Sequence, residues 1–130
     1  MISLDKIKEA HKKIAPYVNS TPLIHSDFLS QNKTVKLKLE SLQITGSFKL
    51  RGAVNKLLSL SEEQKNKGVV ACSTGNHGKG VAYAASALGI KSTIYMSTMV
   101  PQYRKEAIEA LGAKVEIVGN NSDEADLYSR

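Results

Sequence analysis

The sequence is short of several residue types, and each shortage closes off a class of protein. Its 130 residues include one cysteine, Cys72, so no internal disulfide can form. That is compatible with a reducing, cytoplasmic setting. Tryptophan is absent and aromatics make up 5%, so a core must be built from Leu, Ile, Val and Ala. No apolar run approaches the roughly 20 residues that cross a bilayer. The start, Met1-Ile2-Ser3-Leu4-Asp5-Lys6, lacks the apolar stretch of a secretory signal. No His, Cys and carboxylate spacing forms a metal-ligand motif, and His11 and His25 read as surface or helix-face histidines. Arginine-rich runs and basic stripes interleaved with aromatics are also missing. The net charge of +6 is spread singly or in pairs, as in Lys12-Lys13. It reads as a solvated basic surface, so neither a nucleic-acid nor a membrane partner is expected.

What remains is an ordinary globular composition, 42% hydrophobic and 23% charged, in a length that suits one domain or a piece of a larger one. Ser3 is placed to cap a helix over residues 3–15, with Leu4, Ile7, Ala10, His11 and Ile14 near one face and Pro16 ending it. Residues 17–34 read as loop, extended at Thr21-Pro22, with a short helical turn at 27–31. Alternation over residues 35–40 predicts a strand, Thr45-Gly46-Ser47 a tight turn, and residues 48–60 a helix. Residues 61–67 read as a polar connector or a frayed helical turn.

From Gly68 the pattern becomes regular. Strands are predicted at 69–72, 92–96 and 115–118. A glycine-containing turn is predicted at 73–78, followed by a helix over 81–88 that Gly89 stops. Pro101 opens a further helix, which ends at Gly112, and Ser122 before Asp123 and Glu124 caps another. The alternation implies an α/β fold with a parallel βαβαβ sheet and right-handed crossovers. Because the sequence stops inside a capped helix, it is expected to be a fragment.

Two motifs carry chemistry. The first is Thr45-Gly46-Ser47-Phe48-Lys49-Leu50-Arg51-Gly52. A lysine that forms a Schiff base must be deprotonated for part of its cycle, although a free lysine has a pKa of about 10.4. The first turn of a helix disfavours an ammonium, and Phe48 could shield the Lys49 amine on one side. A solvated lysine near a helix start is the alternative. The second motif is Ser73-Thr74-Gly75-Asn76-His77-Gly78, between a strand and a helix. Backbone amides at a helix N-terminus accept a carboxylate or phosphate, and Asn76 can both donate to and accept from an aromatic cofactor. A capped turn without a ligand is the alternative. Nucleotide motifs fail on spacing. Gly75, Gly78 and Gly80 do not form G-x-G-x-x-G, and Gly80 is followed by Val81-Ala82, not by the Lys and Ser or Thr of a P-loop.

With Lys38-Leu39-Glu40-Ser41-Leu42-Gln43 before them and Thr21-Pro22-Leu23 upstream, the two motifs resemble the threonine dehydratase and serine racemase group. Val100-Pro101 and Glu109-Ala110-Leu111-Gly112-Ala113 agree with that resemblance. The group belongs to the fold-type II, tryptophan-synthase-beta-like pyridoxal 5'-phosphate enzymes. The resemblance runs from about Leu4 to the last residue.

It implies a small-molecule amino-acid substrate, an ammonia-lyase reaction giving a keto acid, and a homo-oligomer at full length. Lys49 would hold the cofactor and handle the substrate α-proton, Phe48 would pack beside the ring, and Asn76 would bond its phenolic oxygen. Ser73, Thr74, Gly75, Asn76 and His77 would receive the substrate carboxylate. Thr74 stands where serine racemases carry the serine that moves a second proton. It keeps the hydroxyl but adds a methyl, a departure that counts against racemisation, and a racemase with the same cofactor is the alternative reading. A non-catalytic remnant or binding domain is another. Residues 1–67 would begin the large catalytic domain, and residues 68–130 would form most of the small one. The family's glycine-rich phosphate loop does not occur in this sequence.

Overall fold

A computed structural model describes residues 1–129. The first helix, α1 (Leu4–Ile14), starts where Ser3 Oγ accepts from the Lys6 amide at 3.3 Å. Only Ile14 of its expected apolar face is buried, while Leu4 and Ile7 remain exposed. As expected, α1 ends just before Pro16, and a separate 3₁₀ turn follows over Ala15–Tyr17. A proline near the start of that new turn sacrifices no needed hydrogen bond.

The segment read as loop contains a strand, β1 (Leu23–His25), paired antiparallel with β2 (Lys36–Lys38). All six of these residues are exposed, so β1 has no buried face to announce it in the sequence, whereas β2 lies within the predicted strand. β2 is shorter than predicted because Glu40–Leu42 coils into a 3₁₀ turn. The helix α2 (Lys49–Leu58) follows. Residues 61–67 are better ordered than a connector: α3 (Glu62–Lys67) carries a full capping box between Ser61 and Gln64. That Ser-x-x-Gln signature was readable.

The regular half matches its prediction closely. The strands β3 (Val69–Cys72), β4 (Ser92–Met96) and β5 (Lys114–Ile117) form a parallel sheet in the order β3-β4-β5. Between them run α4 (Asn76–Ala87) and α5 (Gln102–Glu109), and α6 (Ser122–Tyr128) comes last. Several boundaries differ from the prediction: β5 starts and ends one residue early, and α5 stops at Glu109 rather than Gly112. Helix α4 takes in Asn76, His77 and Gly78, which were assigned to the turn. Pro101 is the N-cap of α5 and lies outside its first turn. Asn121, not Ser122, caps α6, its Oδ1 accepting from the Asp123 and Glu124 amides at 3.0 and 2.9 Å.

The core joins Leu50, Val54 and Leu57 of α2 to Ala82, Ala84 and Ala85 of α4, with Ile94 and Met96 of β4 and Ile108 of α5 behind them. Each large aliphatic side chain buried here contributes about 1.5–3 kcal/mol. The α2–α4 packing is the most extensive between any two elements, and the small side chains of α4 permit it. The expected division after residue 67 separates the two sheets, yet the core runs across it.

Candidate functional site

The turn after β3 is held by its own serine. Ser73 Oγ accepts from the Gly78 amide at 3.0 Å and from the Gly75 amide at 3.3 Å. Gly75 is the N-cap, so Gly78 is the third residue of α4 and one first-turn donor is satisfied. The amides of Asn76 and His77 have no acceptor among the described residues. They sit at the positive end of a 12-residue helix, where an anion is favoured.

Gly78 is required by space. A β-carbon there would lie 2.9 Å from the Ser73 carbonyl oxygen, 2.9 Å from Ile108 Cδ1 and 3.3 Å from Ile94 Cγ2. Gly80 brings the other motif in. Its own β-carbon would lie 3.2 Å from the Lys49 carbonyl carbon and 3.2 Å from the Leu50 amide nitrogen. Gly80 is four residues from Asn76, about one helical turn. The backbone of Lys49 is therefore packed against α4 one turn from its N-terminus.

Lys49 is the first residue of α2, and its amide donates to Ser47 Oγ at 3.3 Å. Gly46, with φ +72°, makes the turn into that helix. The Lys49 amine lies 5.2 Å from the centre of the Phe48 ring, so Phe48 does stand beside it. The burial expected around this lysine is not there, since Lys49 and Phe48 are both exposed.

The turn itself divides between two clefts. Thr74, Gly75 and Asn76 line one of about 350 Å³, together with Lys79 of α4 and Tyr103, Arg104 and Ile108 of α5. His77 lines another, of about 220 Å³, against Ala53 and Leu57 of α2 and Val69 of β3. Lys49 lines neither of these two. The motifs thus meet through backbone packing, while His77 turns to the far side of α4 from the cleft that holds Thr74. Lys79, Tyr103 and Arg104 were not anticipated. Nothing in their spacing links them until α4 and α5 are laid side by side.

A second unanticipated group stands behind Lys49. Arg51 forks onto Glu40, Nε to Oε2 at 2.9 Å and Nη2 to Oε1 at 2.7 Å. Thr21 Oγ1 donates to the same carboxylate, and Arg51 Nη2 also donates to the Asn19 carbonyl at 3.1 Å. Gln43 exchanges two bonds with the Asn19 backbone, at 2.8 and 3.0 Å. The Arg51 guanidinium, offset in part by desolvation, holds the Glu40 carboxyl down at about 2. The carboxylate in turn raises the basicity of Arg51. Cys72 is half-buried, and desolvation pushes its thiol up. Thr45 Oγ1 is a buried hydroxyl without a partner among the described residues.

An amine at a helix start, a neighbouring turn with free amides and an amide side chain at that turn fit the reactive half of a pyridoxal phosphate site. Comparison with known proteins gives the family. The profile of the family described as pyridoxal-phosphate dependent enzyme matches residues 14–130. The catabolic L-threonine dehydratase of Staphylococcus aureus strain USA300 is 50% identical over 131 residues, covering 98% of this chain and 38% of the dehydratase. Maize serine racemase superposes with a TM-score of 0.89 at 35% identity, covering 98% of this chain and 39% of that one. The processed form of threonine deaminase isoform 2 from Solanum lycopersicum superposes with a TM-score of 0.85 at 34% identity, covering 98% and 37% respectively. The chain therefore spans about two fifths of the length of these relatives.

Proposed function

The chain belongs to the pyridoxal-phosphate dependent enzyme family, and from that premise we propose that it provides the proton-transfer and substrate-carboxylate half of a threonine dehydratase-like ammonia-lyase. The substrate would be a hydroxy amino acid such as threonine or serine. When bound, pyridoxal phosphate supplies an electron sink for the electron pair freed at the substrate α-carbon.

In this reading Lys49 holds the cofactor through its amine and afterwards takes the α-proton. Asn76 offers its amide to the ring oxygen, and Phe48 covers one side of the amine. The amides of Asn76 and His77 bind the substrate carboxylate, Gly75 leaves the backbone approachable, and Ser73 keeps the turn in shape. The Thr74 hydroxyl, on the same turn, would be a second proton carrier for the departing group. Loss of the α-proton and the β-hydroxyl as water leaves an unsaturated amine. That amine tautomerises and takes up water, giving a keto acid and ammonia. Residues 1–67 would belong to the large catalytic domain and residues 68–130 to the small one. A homo-oligomer and a cytoplasmic setting accompany this reading. No helix among the described residues is long and apolar enough to cross a membrane.

The observation that carries the proposal is the packing of Gly80 against the Lys49 backbone, which sets the amine-bearing helix beside the free amides of α4. It is supported by the 50% identity to a threonine dehydratase. The test joins these 130 residues to the remainder of the Staphylococcus aureus enzyme. The chimera should release ammonia from threonine or serine, and Lys49→Ala should lose all measurable turnover. Full ammonia release by the Lys49→Ala chimera would contradict the assignment. The likeness to maize serine racemase favours racemisation as the second reading. Formation of the D-amino acid in place of ammonia in the same assay would select it.

A further inference from the structure

We infer that the Arg51–Glu40 fork, braced by Thr21 and Asn19, is a positioning device that sets the first turn of α2 so that the Lys49 amine meets its cofactor. The inference rests on the role proposed above for Lys49. Arg51 follows Lys49 by two residues, which is roughly 200° around a helix. Its side chain therefore leaves α2 on the side away from that of Lys49. There it crosses to Glu40, eleven residues back, and closes the intervening segment into a loop.

Within that loop Gln43 and Ser47 are buried and Gln43 is bonded to the Asn19 backbone, but the apolar side chains anchor little. Ile44 and Phe48 are exposed, Gly46 turns with a positive φ, and Leu50 is the first fully buried apolar side chain after the turn. On the opposite side, Gly80 presses on the Lys49–Leu50 backbone. The first turn of α2 is thus fixed from two directions, and the Lys49 amine makes no ion pair among the described residues.

Energy and geometry separate the two roles such a pair could have. The Arg51 and Glu40 side chains are 22% and 16% exposed. At that burial the cost of desolvating both charges offsets much of their attraction, so the pair is weak evidence for a stability role. A bidentate fork, by contrast, fixes orientation as well as distance. Three segments converge on it: residues 19–21, residues 40–43 and the start of α2. A device for stability alone would not need that convergence next to a reactive amine.

The test uses the 130-residue chain with excess pyridoxal phosphate and borohydride reduction, followed by peptide mapping. The readout is labelling of Lys49 relative to exposed Lys36. Arg51→Met and Glu40→Gln are compared with the parent and with Ile90→Ala, a core variant beyond the far end of α4. Ile90→Ala controls for lost stability, with urea midpoints measured for all four. The fork variants should lower the Lys49 to Lys36 ratio by about fivefold or more, well within the roughly hundredfold that a 1 Å misplacement can cost. Ile90→Ala should leave the ratio unchanged. If the fork variants label Lys49 as the parent does, or if Ile90→Ala lowers the ratio equally, the positioning role is wrong. If the parent itself shows no preference for Lys49, the reading of Lys49 fails and the positioning role falls with it.

Discussion

A single methyl group on Gly78 should damage the turn, and the size of the effect follows from the distances around it. The added carbon in Gly78→Ala would meet the Ser73 carbonyl oxygen and Ile108 Cδ1, each at 2.9 Å. Ile108 can rotate away. The Ser73 carbonyl belongs to the backbone leaving β3 and cannot move without taking the turn with it. Such overpacking costs about 1–3 kcal/mol. Weakening the Gly78 amide bond to Ser73 Oγ adds about 1 kcal/mol. Against this, alanine is favoured over glycine inside a helix by about 1 kcal/mol. The net is a loss of about 1–3 kcal/mol, read as a lower urea midpoint at unchanged slope. Gly52→Ala in α2 is the matched control, because its β-carbon would meet nothing within 4 Å. There only propensity acts, and the chain should gain about 0.5–1 kcal/mol. If Gly78→Ala is as stable as the parent, the turn is not packed as described.

Glu40 should make stability fall in acid. Its folded pKa is about 2 against an ordinary 4.5, so the contribution is fully present above pH 4.5 and is lost as the pH falls from 4.5 towards 2. After solvent screening it should amount to about 1 kcal/mol. Glu40→Gln should flatten the unfolding free energy over that window, and parallel curves for parent and variant would refute the pairing. Asn121→Ala should remove the cap of α6 at a cost of about 1 kcal/mol, seen as faster amide exchange at Asp123 and Glu124. Unchanged exchange would mean that the cap does not hold the helix.

The parts of the fold that could be read in advance are those whose burial writes a period into the sequence. β4 alternates buried and half-buried residues and is flanked by Gly89 and Pro101, so its limits were recovered. β2 was read from the alternation of residues 35–40, whereas β1 has no buried face and only the extension imposed by Pro22 hinted at it. Gly78 was read as a turn residue and Gly80 as lying outside the helix. They are helical, and they are glycine because Ile108 and the Lys49–Leu50 backbone come too close for a side chain. The two site motifs were visible as strings. Their meeting through Gly80 was not, because it depends on how closely two helices pack. The Glu40–Arg51 pair was hidden for the same kind of reason: its members sit at a spacing that no single helix or strand would bring together.

The central claim, that Lys49 is the cofactor lysine, is tested most directly by where pyridoxal phosphate attaches on the unaltered 130-residue chain. This chain lacks the family's phosphate loop, so attachment should be weak and no ammonia should be released from serine or threonine. Borohydride trapping and peptide mapping should nonetheless place the label on Lys49 in preference to Lys36, Lys67 and the other exposed lysines. Label spread over those lysines in proportion to their exposure, or concentrated on any one of them, would contradict the account.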